Sequence, residues 1–286
     1  MPSLIDIRRR IRSVKNTQQI TKAMKMVSAA KLRRAQDRVI ASRPYGALLR
    51  KVLANVAAAS ASDEQAGRNP LLARRSEQRI LLVLITADKG LAGAFSSNLV
   101  KGALQFTAEH RDATVSLELI GRKGRDFFRK RGGRISGDHI GLAAKVQYSE
   151  TRAIAQKAMD LYCAEEIDAV YLLYNEFKSV VSQKLTLTRV LPVEMPENSE
   201  PVDYIFEQPP IEMLGALLPR YVETEFYRAL LESAAAEHAA RMTAMEAATS
   251  NAGEMIDKLT LYMNRVRQAS ITKEIIEVVS GAAAAE

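Results

Sequence analysis

Two glycine-rich turns are where phosphate chemistry would be sought in this sequence. Asp88-Lys89-Gly90-Leu91-Ala92-Gly93 follows a strand-like apolar run and precedes a helical one, so a phosphate could sit on a helix N-terminus. The run has neither the G-x-G-x-x-G spacing of dinucleotide sites nor the G-x-x-x-x-G-K-[ST] phosphate loop. Gly121-Arg122-Lys123-Gly124, after the next strand-like run, fits neither spacing. A tight structural turn is the plainer reading of both, and a nucleotide site is the rival.

Other chemistry is equally sparse. His110, His139 and His238 are scattered and show no ligand spacing with Cys163, the only cysteine. A single cysteine forms no internal disulfide, which suits a reducing compartment. There is no nucleophile elbow, no H-E-x-x-H pair and no Cys-His pairing of recognised spacing. No catalytic, cofactor-binding or metal-ligating residue is therefore assigned. An enzyme using nucleotide on a central domain stays open as an alternative.

The elements that would hold such residues explain more. The chain has 286 residues, 47% hydrophobic and 26% charged, enough for a packed core and more than one unit. The longest aliphatic run, residues 80–85, is far short of the ~20 needed to span a bilayer. Arg8, Arg9, Arg10 and Arg12 stand where a secretory signal needs an apolar stretch. The helical pattern begins by Leu4 and Asp6, so no removable leader is expected.

The net charge of +8 is uneven: residues 1–51 carry +12, residues 52–209 are neutral and residues 210–286 carry −4. Such asymmetry points to interactions. The first segment, residues 1–58, reads as one long helix. Leu4, Ile7, Ile11 and Val14 form a stripe at 3–4 spacing, which Leu32, Ala35 and Val39 resume. Between them the same positions hold Gln18, Thr21, Lys25 and Ser28, while Ile20, Ala23, Met24 and Val27 lie on a rotated face. Pro44 and Gly46 are expected to kink or interrupt this helix.

Residues 210–286 read as a second long helix, opened by Pro209-Pro210 and with a bend expected at Pro219. Leu217, Tyr221, Leu231, Ala235, Met242 and Met245 begin its stripe, and Ala252, Ile256, Leu259, Met263 and Val266 continue it. A stripe this long argues for a coiled coil. At ~1.5 Å rise per residue, ~70 helical residues extend roughly 100 Å, so an elongated chain is expected. Methionines on both helices, Met24 and Met245 among them, fill irregular gaps, and a sliding contact is the sharper use.

After a linker at about residues 57–68, the pattern changes. Strands are expected at residues 79–86, 114–120, 169–174 and 180–191, and helices at 94–109, 121–131 and 150–165. Alternating strands and helices over residues 76–205 predict an α/β domain with a largely parallel sheet closed by an antiparallel strand. The fold class expected is thus α/β: a long antiparallel coiled coil of the terminal helices plus a central Rossmann-like domain.

The basic first helix admits three readings: nucleic-acid phosphates, a solvated face, or an acidic protein partner. No aromatic residue lies between Met1 and Arg43, so bases would have nothing to stack on.

Two stretches carry a family resemblance. Residues 11–27, Ile11 through Gln18-Gln19-Ile20-Thr21-Lys22-Ala23-Met24 to Val27, with Ala35-Gln36-Asp37-Arg38, are similar to the start of ATP synthase gamma subunits. Arg267-Gln268-Ala269-Ser270-Ile271-Thr272-Lys273-Glu274, followed by Glu277 and Gly281-Ala282, resembles that family's C-terminal signature. Thr86 to Gly93 resembles a third block, with Ala92 where many relatives have cysteine. The cysteine-pair insert of chloroplast relatives is absent.

The resemblance implies a non-catalytic central shaft that couples proton-driven rotation of a c-ring to ATP synthesis or hydrolysis in a hexamer of alternating alpha and beta subunits. It implies that Lys22, Met24, Lys25, Arg33, Arg34 and Arg38 meet the acidic lever loops of beta. Arg267, Gln268, Thr272 and Glu274 would meet the catch loops of alpha and beta. The apolar tip at residues 282–285 would serve as a bearing, and Tyr204 and Glu207 would touch the c-ring or the epsilon subunit. No cofactor, nucleic acid or transmembrane segment is implied. The place expected is the cytoplasmic face of a bacterial inner (plasma) membrane.

Overall fold

The computed structural model describes residues 3–60, 69–194 and 207–283. The chain divides into two compact units, one formed by residues 1–28 with 242–286 and one by residues 29–241. Helix α1 is Leu4–Ser60 and helix α5 is Pro210–Ala283. Between them lie β1 Arg79–Ile85, α2 Phe95–Glu109, β2 Thr114–Ile120, α3 Arg122–Lys130, β3 Ile135–His139, α4 Tyr148–Cys163, β4 Ala169–Phe177 and β5 Gln183–Leu191.

The five strands form one sheet in the order β3-β2-β1-β4-β5. β1 pairs parallel with β2 and β4, β2 pairs parallel with β3, and β5 closes the edge antiparallel to β4. The apolar run of β1 explains its central place. All six residues from Ile80 to Ile85 are buried, which requires cover on both faces because successive side chains alternate. On one face Ile80, Leu82 and Leu84 join Leu99, Ala103 and Phe106 of α2 in the main core cluster. On the other, the ion pair of Glu118 in β2 with Lys157 places α4 over the sheet.

β3 was not expected. Its sequence, Ile-Ser-Gly-Asp-His, has one strong strand former and no alternation, and it is held by pairing at the sheet edge rather than by its own propensity. Neither Pro44 nor Pro219 ends its helix. A proline costs one backbone donor, roughly 3 kcal/mol, in a helix interior. Around Pro44 in the 29–241 unit, buried Val39, Leu49, Leu53 and Val56 hold α1 against that cost, and buried Leu218 and Val222 flank Pro219.

In the unit of residues 1–28 and 242–286 the two helices run antiparallel. The Gln18 amide donates to the Thr249 carbonyl at 3.4 Å, Thr21 and Thr249 meet hydroxyl to hydroxyl at 2.8 Å, and Lys25 reaches Glu246 at 2.6 Å. Higher numbers on one helix meet lower numbers on the other. The seam stays in heptad register through its polar stretch: Ile7, Thr21 and Ser28 are buried, and Ile11, Val14, Gln18 and Lys25 are half-buried. Facing them, Met245 and Ala252 are buried, and Ile256, Leu259, Met263 and Val266 are half-buried.

Candidate interaction surfaces and a closed turn

What the seam leaves out is the first candidate surface. Ile20 and Val27 are 60% and 56% exposed, although seam positions beside them are polar and buried. Ala23 and Lys22 share this exposed side, and Met24 is half-buried. Lys25 is already paired with Glu246, both side chains partly in solvent, so it offers an acidic partner an exchange rather than a free charge.

The second surface is the end of α5. Every residue from 271 to 280 is exposed, and Ile271, Ile275, Ile276, Val278 and Val279 are large apolar side chains. Within this unit that stretch has no buried position at all. Arg267 and Gln268 just before it are exposed. The Thr272 hydroxyl donates to the Gln268 carbonyl at 2.9 Å, and Glu274 accepts from the Ser270 hydroxyl at 3.3 Å. Lys273 and Glu277 form an i,i+4 pair at 3.4 Å. The polar groups thus serve the helix while the aliphatic ones stand in water. Exposed apolar area of this kind marks an interaction site. The bearing tip at residues 282–285 lies outside the described side chains. The heptad pattern ends at Val266, and the apolar residues beyond it were the available signal for this surface.

In the 29–241 unit, Arg33 and Arg34 are exposed, and Arg38 is exposed with Nη1 donating to the Val146 carbonyl at 3.4 Å. Glu207 is exposed, and Tyr204 lies outside the described residues.

The glycine-rich turns use their polar groups on themselves. The Asp88 carboxylate accepts from the backbone N–H of Arg122 at 3.1 Å and of Gly141 at 3.1–3.2 Å. The Thr86 hydroxyl donates to the Ile120 carbonyl at 3.0 Å and accepts from Gly124 N–H at 2.9 Å. Gly121 has φ +95°, and a Cβ there would run into the Thr86 carbonyl, so only glycine fits this close approach. Arg241 of α5 reaches the carbonyls of Lys89 and Gly90 at 3.3–3.4 Å and Glu237 at 2.6 Å. These bonds make the Asp88 turn a joint between strands and helix, the tight-turn reading.

One charged cluster had no sequence signal. Glu118, 1% exposed, accepts from Lys157 Nζ at 2.9–3.0 Å and lies 2.7 Å from His139 Nε2. Burial pushes its carboxyl up, and the bonds from His139 and Lys157 outweigh that and hold it below the ordinary value. β3 supplies His139, so missing that strand meant missing the cluster. Among the described residues no group of three His, Cys, Asp or Glu side chains is placed to hold a metal, and no helix is long and apolar enough to cross a membrane.

Comparison with known proteins agrees with this architecture. The family model described as ATP synthase matches residues 3–285. An ATP synthase gamma chain from Solibacter usitatus (strain Ellin6076) is 78% identical over 286 residues, the whole of both chains. Another, from Pelotomaculum thermopropionicum, is 50% identical over 289 aligned positions, again the whole of both. In three dimensions the chain is similar to one in the central stalk and c-ring structure of Tetrahymena thermophila mitochondrial ATP synthase. That match has a TM-score of 0.62 and 26% identity, and covers 80% of this chain and 99% of that one. A chain of the Euglena gracilis mitochondrial ATP synthase matches with a TM-score of 0.66 over 98% of this chain and 94% of its own, at 18% identity, a likeness of fold alone. With a family match running nearly end to end and relatives aligned over their full lengths, the chain belongs to the ATP synthase gamma-chain family.

Proposed function

We propose that this chain is the non-catalytic central shaft of a proton-transporting ATP synthase, turned by a c-ring and read by a surrounding alpha/beta hexamer. The observation that carries the reading is the end of α5: ten consecutive exposed residues, half of them large and aliphatic, on a helix that the heptad seam no longer covers. A sleeve of other subunits buries such a surface. An aliphatic shaft surface also turns against its sleeve without stripping water from charges at each step.

An asymmetric shaft biases three otherwise equivalent beta subunits differently, and rotation moves that bias around the ring. This is allostery through differential contacts. One proton crossing 100 mV releases about 2.3 kcal/mol, so several steps are stored and transmitted by twisting the helix pair.

In this reading Lys22, Met24, Lys25, Arg33, Arg34 and Arg38 meet acidic loops of beta, with Ile20 and Val27 adding apolar contact. Arg267, Gln268, Thr272 and Glu274 meet loops of alpha and beta nearer the C-terminus, and Tyr204 and Glu207 meet the c-ring or epsilon subunit. The complex sits at the cytoplasmic face of a bacterial inner membrane, with this chain as a peripheral part.

Co-expression with the alpha and beta subunits of the same genome, followed by native mass spectrometry, tests the assignment. A species with three alpha, three beta and one of this chain, hydrolysing ATP, is expected. A chain that stays alone or pairs with itself overturns it.

A further inference from the structure

Pro44 and Gly46, the residues whose chemistry argues most against a helix, lie two apart in α1 without ending it. Both lower helix stability, glycine by about 1 kcal/mol relative to alanine. Packing does not demand the glycine. A Cβ at position 46 would meet only Thr224 Cγ2, at an ordinary 3.9 Å. What this stretch borders is a cleft of about 690 Å³ within the 29–241 unit. Arg43, Tyr45, Gly46, Ala47 and Arg50 of α1 line one side, and Thr224, Tyr227, Arg228 and Glu232 of α5 another. Tyr148 at the start of α4 and the end of β4, Glu176 and Phe177, with Lys178 beyond it, complete the wall.

The volume falls in the roughly 300–1,000 Å³ range of small-molecule sites. Four aromatic rings line it in a chain that is only 6% aromatic, so the concentration is local. Tyr148 and Tyr227 meet edge to face at 5.4 Å, and the Tyr148 hydroxyl donates to Glu223 at 2.7 Å, which fixes its ring. Four cations line the cleft against two carboxylates. Glu232 is spent on the Phe177 N–H at 3.1 Å and Arg43 at 3.4 Å, and Glu176 on Lys178 at 2.7 Å. Arg228 is held by Glu225 at 2.5 Å. Arg50 has no ion-pair partner among the described residues.

We propose that this cleft binds a small planar aromatic anion, its ring among the tyrosines and Phe177 and its anionic group on Arg50 and Arg43. Aromatic faces supply apolar contact at low entropic cost, and a planar guanidinium suits a carboxylate, phosphate or sulfonate. No chemistry is performed on the ligand. The site adds to the shaft function and does not depend on it.

The probe is naphthalene-2-sulfonate, compared with the neutral naphthalene-2-sulfonamide, titrated calorimetrically into the full-length chain and into the assembled complex. Saturable one-to-one binding of the sulfonate is expected, with the sulfonamide about tenfold weaker. Ala47→Glu puts a carboxylate on an exposed, helix-compatible lining position and should weaken the sulfonate about tenfold. Arg50→Ala should weaken it by a similar factor, and Arg129→Ala, exposed on α3 and away from the cleft, should leave it unchanged. Unaltered affinity in Ala47→Glu, equal binding of the neutral probe, or no saturable binding overturns the proposal. Binding to the free chain but exclusion from the complex also overturns it, and makes the cleft the seat of a partner's side chain instead.

Discussion

Thr21 and Thr249 face each other across the antiparallel helices at 2.8 Å, hydroxyl to hydroxyl, at a seam position where an aliphatic pair would pack. Each also has a carbonyl of its own helix in reach, Gln18 for Thr21 at 3.0 Å and Met245 for Thr249 at 2.7 Å. Neither hydroxyl is stranded when the other is removed, so the pair is a soft joint. Thr21→Val alone should change stability by less than about 1 kcal/mol, and the Thr21→Val/Thr249→Val double variant should be neutral or stabilising. Thermal unfolding of the full chain reads this. A loss above about 2 kcal/mol in the double variant would mean the hydroxyl pair is structural.

The buried Glu118 cluster should behave in the opposite way. Lys157→Met leaves the carboxylate with His139 as its remaining side-chain partner and should cost about 3 kcal/mol in urea unfolding. Gly137→Ala should also destabilise, since a Cβ there would collide with the Glu118 carboxylate. The Glu118 carboxyl is held below its ordinary value of 4.5, so its contribution is present above that pH and lost as pH falls through the folded value. A Lys157→Met variant as stable as the parent would contradict this account of the cluster.

His238 supplies a second pH dependence. Burial, with Arg241 and Lys31 adding to it, pushes its imidazole down to about 4. Glu237 beside it is pushed up by burial, against the pull of Arg241. The folded ring stays neutral where the unfolded ring takes a proton, so stability falls as pH drops from 6.5 toward 4. The effect is on the order of 2 kcal/mol, allowing for the part of the ring that meets solvent. Comparing the parent with His238→Gln isolates this from Glu237. The two stability curves should diverge across that window, and parallel curves would remove the role given to His238.

How much of this was legible in the sequence depended on whether the physics was local. β1 and β2 were readable because their side chains are aliphatic enough to demand burial, and the heptad stripe from Met242 to Val266 marked the buried face of α5. β3 was not readable, because an edge strand of Ile-Ser-Gly-Asp-His is made by its neighbour. An interruption at Pro44 does not occur for the same reason: tertiary packing around Leu49 and Leu53 outweighs one lost donor. The polar seam positions Thr21 and Ser28 could be ranked only once their partners were in place. The contacts proposed for Lys22 and Glu274 with other subunits would leave no mark in a single chain except exposure, which both residues show.

Breaking the shaft should do more than removing charges from it. Met245 is buried in the seam, and Met245→Pro removes a donor and forces a clash with the preceding turn, roughly 3 kcal/mol or more. It should uncouple or disassemble the complex. Lys22→Ala should leave assembly intact, because an exposed ion pair is worth only ~0–1 kcal/mol. Proton-driven ATP synthesis at the normal rate with Met245→Pro in place would contradict the mechanical reading.

The central claim is rotation, and Cys163 makes it directly measurable. It is the only cysteine and is exposed at the end of α4, so one biotin-maleimide labels one place on the α/β domain. Burial and Asp160 push its thiol up, so labelling is best run above neutral pH. With the alpha/beta hexamer fixed to glass and a bead on Cys163, ATP should drive the bead in one direction with three equal pauses per turn. A complex that hydrolyses ATP while the bead only fluctuates would contradict the account.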